Sequence, residues 1–513
     1  MSQKSKRLTI NLISQIIAFM VGIGVSFFLT PYITEKLGKE VYGFVGMAYQ
    51  VTSYISMFTV AFNAMLNVFV ATEYHKDNKK KANEYYTSVL VADTVLSVIL
   101  IVPLLLIVIF MDKFMDVPVA SLNDIKLLWG IIFLTFLFQL ATGPLGVGFF
   151  VSNRLDVSAK RSITTNVIKG GVLLGTFCLL VPRVWYVGLA SMISILYSIA
   201  MNYKYKNIFT PEIRYKKEAF NFKSIKELLA VGIWNTVNQL TNILLNGLDL
   251  LISNVFISAL AMSFISYAQT FPLQISNLLV TVSNTFTPSL TKNYAKNDKD
   301  EFKKNVYSAM KICGCICSIP LVGFIVFGLD FYKLWLHSLS ADEALVINRL
   351  SWLILVPTYI SIYTFPLNSV QTITKKIKVP VLFSLTISIV NIIAELILLK
   401  FTSLGVYSIE IATAVVLGVR NFIFIPLYSA HNLKCKWYTF YPTIIRGLFS
   451  STVVLVLFYF VHQFVSINSW LDLIIIAVIA GLIGYVINMI ILLNKEERKM
   501  FIRKFFKLKK NSK

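Results

Sequence analysis

ISMFTVAFNAMLNVFVATEYHKDNKKKANEYYTS, residues 55–88, is matched without a gap 220 residues later by ISNLLVTVSNTFTPSLTKNYAKNDKDEFKKNVYS, residues 275–308. Ile55, Ser56, Val60, Tyr74, Lys76, Lys79 and Ser88 meet identical partners in Ile275, Ser276, Val280, Tyr294, Lys296, Lys299 and Ser308. The same offset sets Phe44 and Ala48 against Phe264 and Ala268. Each copy is an apolar run ending in a basic loop with Asn and Asp, followed by the next apolar run. Like-oriented copies of this kind predict parallel repeats about an axis along the membrane normal. Two such lobes with a cleft between them describe a transporter better than an enzyme or a scaffold.

The totals agree. The chain is 56% hydrophobic and 14% charged, with mean hydropathy +0.71, well outside the range of soluble domains. Lys4, Lys6 and Arg7 precede an apolar run from about Leu8 to Ile33, too long for the core of a cleaved signal, so it reads as a retained first span. The net charge of +23 sits in the loops between spans, where anionic lipid headgroups explain it more simply than nucleic acid does.

A helix crosses the hydrocarbon in roughly 20 apolar residues. On that basis about fourteen spans are expected, near 9–33, 41–70, 86–111, 125–152, 162–180, 184–202, 227–251, 260–290, 305–329, 346–372, 379–400, 404–428, 442–466 and 471–494. The loop 203–226 carries seven Lys/Arg against two acids, and the tail 495–513 carries nine Lys/Arg. Segments 112–124 and 330–345, on the opposite side, are net acidic. The positive-inside rule then places both termini in the cytoplasm. The expected fold is all-α and integral to the membrane, with two pseudo-symmetric six-helix lobes at 1–202 and 227–430. A basic cytoplasmic linker at 203–226 joins them, and a helix pair at 431–494 and the tail at 495–513 follow.

Span seven carries Asn235, Asn238, Gln239, Asn242, Asn246 and Asp249, which fall within an arc of roughly 100° on one helix face. An amide facing lipid without a partner costs several kcal/mol, so this face must meet water or another polar helix. Span eight has Gln274, Asn277 and Asn284 in register with Thr270 and Thr281; span two has Thr52, Ser56, Thr59, Asn63 and Asn67; span one offers Gln15. Interhelical packing is the plainer reading of the weaker stripes. A water-lined wall is the reading for span seven, and amides and hydroxyls with little fixed charge suit a carbohydrate.

Charges inside spans are functional candidates by default. Lys169 lies about 12 Å of helix rise beyond Arg161, and Arg420 lies inside span twelve. Both are candidates for binding an anion, with Arg154 and Arg161 near the cytoplasmic entrance; packing against a carbonyl or a buried acid is the plain alternative. Asp93, Asp249 and Glu395 are the candidates for coupling to a proton or sodium ion. Cys313, Cys315 and Cys317 lack an accompanying His and read as small-residue packing, and the four histidines have no ligand spacing. No GxxxxGK[ST] phosphate loop and no catalytic triad or carboxylate pair is present, so neither a cofactor nor an enzymatic reaction is expected.

Three stretches resemble the bacterial polysaccharide flippases of the multidrug/oligosaccharidyl-lipid/polysaccharide exporter superfamily. They are Leu37-Gly38-Lys39-Glu40-Val41-Tyr42-Gly43, the run from Asn67-Val68-Phe69-Val70 to His75–Tyr85, and Thr287-Pro288-Ser289-Leu290. The resemblance implies two six-helix lobes around a cavity open alternately to either side. It implies a cargo of polyprenyl-diphosphate-linked oligosaccharide, moved to the outer leaflet of the cell membrane for capsule, O-antigen or exopolysaccharide assembly. Polysaccharide polymerase and assembly proteins are the expected partners, with anionic lipids and without nucleic acid. Spans thirteen and fourteen resemble the extra pair of fourteen-helix members, where a lipid tail is accommodated. Peptidoglycan-precursor flippases of the superfamily place arginines in the first-lobe cavity helices. Spans one and two here hold no Lys or Arg, which argues against that precursor. The alternatives are a cation-coupled multidrug exporter of the same fold, and a membrane glycosyltransferase or polymerase, which would need a large outer loop.

Overall fold

The computed structural model describes residues 3–295, 299–374, 376–494 and 497–498, and no strand occurs among them. The helices are α1 (Gln3–Leu37), α2 (Lys39–His75), α3 (Lys79–Phe110), α4 (Leu122–Ala141), α5 (Val147–Val151), α6 (Leu155–Leu179) and α7 (Trp185–Phe209). Next come α8 (Phe222–Asn246), α9 (Asp249–Phe256), α10 (Ala259–Asn284), α11 (Thr287–Ala295), α12 (Lys299–Trp335) and α13 (Ala341–Thr364). The last are α14 (Leu367–Ile373), α15 (Lys378–Phe401), α16 (Tyr407–Val419), α17 (Ile425–Asn432), α18 (Tyr441–Gln463) and α19 (Trp470–Leu492). Among the described residues ten helical segments are long and apolar enough to cross a membrane, at α3, α4, α6, α7, α12, α13, α15, α16–α17, α18 and α19. Helices α1, α2, α8 and α10 stand where spans one, two, seven and eight are expected.

The chain forms two compact units that divide between Ser263 and Phe264. In the first, α1 packs on α6, α4 on α7 and α3, and α2 on α3 and α8. The linker residues 203–226 lie within this unit. In the second, α12 packs on α13, α18 and α19, and α15 on α16. The ring of Tyr363 marks one close approach: a Cβ on Gly314 of α12 would stand 2.2 Å from it, and one on Gly447 of α18 2.3 Å. Small residues at both points let the backbones close on the ring.

Several expected single spans are broken helices, and prolines explain most of the breaks. The segment read as 125–152 is α4, a 3-10 turn at Gly143–Gly146 and α5, with Pro144 opening the new turn. The segment near 260–290 is α10 and α11, with Pro288 in the first turn of α11. The segment 346–372 breaks before α14 at Pro366. The segment 404–428 passes through a π-helical turn, Arg420–Phe424, ahead of Pro426.

A proline inside a helix leaves the carbonyl four residues earlier without its N–H, and lipid offers no replacement. Three such carbonyls in the second unit receive hydroxyls from other helices. Pro320 frees Ile316, which accepts from Tyr485 of α19 at 3.2 Å. Pro426 frees Phe422, which accepts from Tyr441 of α18 at 3.0 Å. Pro272 frees Ala268, whose carbonyl lies 3.1 Å from the Ser351 hydroxyl of α13; that hydroxyl is shared with the Ile347 carbonyl at 3.0 Å and meets Tyr332 at 2.7 Å. The second unit is thus tied together at its own helix defects.

Candidate substrate and coupling sites

In the first unit, Lys169 projects from α6 among hydroxyls. Its Nζ donates to the Tyr49 hydroxyl of α2 at 3.1 Å and lies 5.0 Å from that ring's centre. Tyr49 in turn lies 2.5 Å from the Ser191 hydroxyl of α7, and Ser191 donates to the Val187 carbonyl at 2.9 Å. With each hydroxyl donating once, the relay runs Lys169 to Tyr49 to Ser191 to Val187. Among the described residues it leaves two ammonium donors unused. Lys169 makes no ion pair among the described residues, and its polar contact is the Tyr49 hydroxyl.

Arg154 differs. It grips Asp156 through Nε at 2.9 Å and Nη2 at 3.1 Å and lies over the Phe209 ring, so its charge is answered in place. Arg161 donates to Asn202 and lies over the Phe149 ring at 5.4 Å, and its buried Nε–H has no partner among the described residues. Gln15 donates to the Leu155 carbonyl at 3.0 Å, and Asn11 binds the Asn153 side chain at 3.1 Å, tying α1 to the start of α6.

The side chains of Asn63, Asn235, Asn238 and Asn246 lie outside the described residues. Of the remaining stripe residues, Gln239, Asn67 and Gln274 are half-buried, and Asn242, Asn277 and Asn284 are exposed. The start of the α2 stripe lines a cavity of about 340 Å³ with Thr52, Ser53 and Ser56 on one wall and Gln139 and Gly143 on the other. Span seven is interrupted just before Asp249: α8 ends at Asn246 and α9 begins at Asp249. The Gly247 carbonyl released by the break accepts from Tyr54 and, at 3.3 Å, from Gln50 of α2. Asp249 itself is buried, as is Asp93 in α3.

In the second unit, Glu395 and Asn391, one turn apart on α15, meet Thr413 of α16. Asn391 Nδ2 donates to Glu395 Oε1 at 2.5 Å and lies 3.0 Å from Thr413 Oγ1, which donates to Glu395 Oε1 at 3.2 Å. Asn391 Oδ1 is buried with no partner among the described residues. An oxygen-rich, buried cluster of this kind suits a hard cation or a proton. Arg420, on the π turn, donates through Nε to Ser384 of α15 at 3.0 Å; the neighbouring Asn421 donates to the Pro357 carbonyl of α13 at 3.1 Å. The two candidate cations Lys169 and Arg420 belong to different units, and Glu395 lies in the unit of Arg420.

Sequence reasoning missed Tyr49, Ser191, Ser384 and Thr413. Tyr49 had a signal, because it continues the Thr52–Ser56 stripe backward along α2. The others are single hydroxyls on apolar helices, where many such residues only bond their own backbone.

The long apolar helices and the polar groups set within them make up an all-α membrane fold. The fold is shared with a solved lipid II flippase, MurJ, in an inward closed conformation, at TM-score 0.70 and 16% identity, covering 97% of this chain and 99% of that one. An inward-facing multidrug transporter of the MATE family and MOP superfamily has TM-score 0.64 at 14% identity, covering 83% and 97%. The chain belongs to the family described as polysaccharide biosynthesis protein, whose model matches residues 8–293. A relative in Bacillus subtilis (strain 168), the uncharacterized membrane protein EpsK, is 27% identical over 504 residues, 98% of this chain and 99% of its own length.

Proposed function

We propose that this protein moves a polyprenyl-diphosphate-linked oligosaccharide from the cytoplasmic to the outer leaflet of the bacterial cell membrane, by alternating access, for surface polysaccharide assembly. Both termini lie in the cytoplasm on this reading. Lys169 is the observation that carries it: an intramembrane cation oriented by a hydroxyl, with donors to spare, suits a diphosphate. The sugar needs a polar route, because each hydroxyl left unbonded in hydrocarbon costs roughly 2–7 kcal/mol. The exposed Asn242, Asn277 and Asn284 supply such surfaces. The tail needs an apolar one. A cavity of about 330 Å³ in the second unit, walled by Phe271, Phe324, Phe327, Phe331, Phe458 and Tyr485, suits a stretch of isoprenyl chain. Family membership and the fold shared with a lipid flippase support the same reading.

With an inside-negative potential, moving one negative charge outward gains about 2.3 kcal/mol per 100 mV, so the diphosphate itself provides a drive. Cation coupling at Glu395, with Asp93 and Asp249 as further candidates, is the additional source. A polysaccharide polymerase and assembly proteins are the proposed partners. The multidrug transporters of the same fold favour a second reading, cation-coupled drug export, against which Lys169 stands as a charge that repels cationic drugs. A deletion strain separates the two. The proposal expects loss of surface polysaccharide, restored by the wild-type gene and not by Lys169→Met. Intact polysaccharide with heightened drug sensitivity would overturn it.

A further inference from the structure

The connection between α7 and α8 is ordered against α3 by side chains more than a hundred residues away. Three oxygens on one face of α3 accept its backbone N–H groups: Asn83 Oδ1 from Arg214 at 2.6 Å, Thr87 Oγ1 from Lys216 at 3.3 Å and Ser88 Oγ from Asn221 at 2.9 Å. Glu84 accepts from the Asn221 side chain and from Ser224, each at 2.6 Å, and from Lys81 at 2.8 Å. Asn83 also donates to the Glu212 carbonyl at 3.0 Å, and Lys79 pairs with the Glu212 carboxylate at 2.7 Å. Ile213 is driven into a core with Tyr85, Tyr86, Val89 and Leu228. The segment is therefore a strap with one committed face.

Its other face is unusual. Tyr215 is 54% exposed, Phe220 44% and Phe222 70%. Arg214, Lys216, Lys217 and Lys223 are exposed between and beside them, against two exposed acids, Glu218 and the Lys79-paired Glu212. Aromatic rings left in water forfeit the gain of burial, and rings interleaved with cations are the chemistry of a headgroup layer. Helix α7, apolar and long enough to cross a membrane, ends at Phe209, and α8, where span seven is expected, begins at Phe222; with both as spans, the strap joins two helices on one side of the membrane. We propose that residues 211–223 are a preformed anchor for anionic phospholipid, with the rings among the headgroups and the cations on their phosphates. Because α3 holds the strap in place, little ordering is needed at binding. The leaflet is the cytoplasmic one on the orientation proposed above, but lipid capture itself does not depend on the cargo.

The test places a reporter in the strap of the full chain. Phe222→Trp, and separately Tyr215→Trp, are compared with wild type in nanodiscs in which a fixed fraction of lipid is either brominated phosphatidylglycerol or brominated phosphatidylcholine. The expected result is that the added emission is quenched at least about twofold more by the anionic lipid at 0.1 M salt. That preference should shrink at 1 M salt, where the screening length falls from about 10 to 3 Å. It should vanish when Arg214, Lys216, Lys217 and Lys223 are all changed to Gln. Equal quenching by the two lipids at low salt would overturn the proposal. So would emission quenched by aqueous iodide and by neither lipid, which assigns this face to a soluble partner.

Discussion

Lys169 Nζ and the Tyr49 hydroxyl stand 3.1 Å apart, and the next link, Tyr49 to Ser191, is 2.5 Å. A flexible four-carbon side chain is thereby held toward one place within the membrane, at the cost of a single one of its three donors. Tyr49→Phe keeps the ring under the ammonium and removes the acceptor. The expected outcome is a rise in the half-saturating concentration of lipid-linked substrate of roughly 3- to 10-fold, the range of one hydrogen bond, with folding intact. Ser191→Ala should show a smaller effect in the same direction. Initial transport rates against substrate concentration check both.

The proline-freed carbonyls make a stability prediction with an internal control. Tyr485→Phe leaves the Ile316 carbonyl without its hydroxyl, and a loss of about 1 kcal/mol is expected. Pro320→Ala restores an N–H to that carbonyl, so Tyr485→Phe should cost less in that background. Thermal unfolding of the purified protein in detergent reads the difference, and equal costs in both backgrounds would show that Ile316 is not the group that matters.

Much of the fold was legible because membrane helices declare themselves by length and apolarity: the starts of α3, α7 and α18 follow the basic or polar loops that the sequence displays. The breaks were harder. Gly247 sits in a run that hydropathy reads as continuous, and only the contacts of its carbonyl with Tyr54 and Gln50 show how the break is accommodated. The strap was legible as a basic segment and not as an ordered one, because its order comes from Asn83, Glu84, Thr87 and Ser88, distant in the chain. Lys169 and Glu395 were found as charges out of place. Their partners Tyr49 and Thr413 were not, since hydroxyls on apolar helices are common and only geometry selects the ones in use.

Glu395→Gln retains the shape of the Asn391–Glu395–Thr413 cluster and removes its charge. If this cluster couples a cation to transport, the variant should lose the acceleration produced by an imposed proton or sodium gradient while keeping the response to membrane potential. Asp93→Asn and Asp249→Asn, measured alongside, assign the effect. Full gradient response in all three variants would exclude these acids as the coupling sites.

The acid-sensitive contact of the strap, at Glu212, is complete at neutral pH. The hydrogen bond from Lys79, then that from Tyr74, holds the Glu212 carboxyl below the usual carboxylate range. A depressed value means the contribution is complete above the ordinary value of about 4.3 and disappears as pH falls through the lowered one. Trypsin cleavage after Arg214, Lys216 and Lys217, taken relative to an unstructured peptide at the same pH so that the protease's own titration cancels, should thus be unchanged between about pH 6 and 8. Asn83→Ala, which removes bonds to both Arg214 and Glu212, should speed it several-fold throughout. No acceleration in that variant would mean that α3 does not hold the strap.

The most direct measurement uses proteoliposomes loaded with a fluorescent polyprenyl-diphosphate oligosaccharide and an external enzyme or quencher that reports only the exposed leaflet. Wild-type protein should raise the rate of leaflet exchange well above that of empty liposomes, Lys169→Met should remove most of that increase, and Lys169→Arg should keep part of it. Exchange in wild-type vesicles no faster than in empty ones, or Lys169→Met exchanging at the wild-type rate, would contradict the assignment of an intramembrane diphosphate site to Lys169.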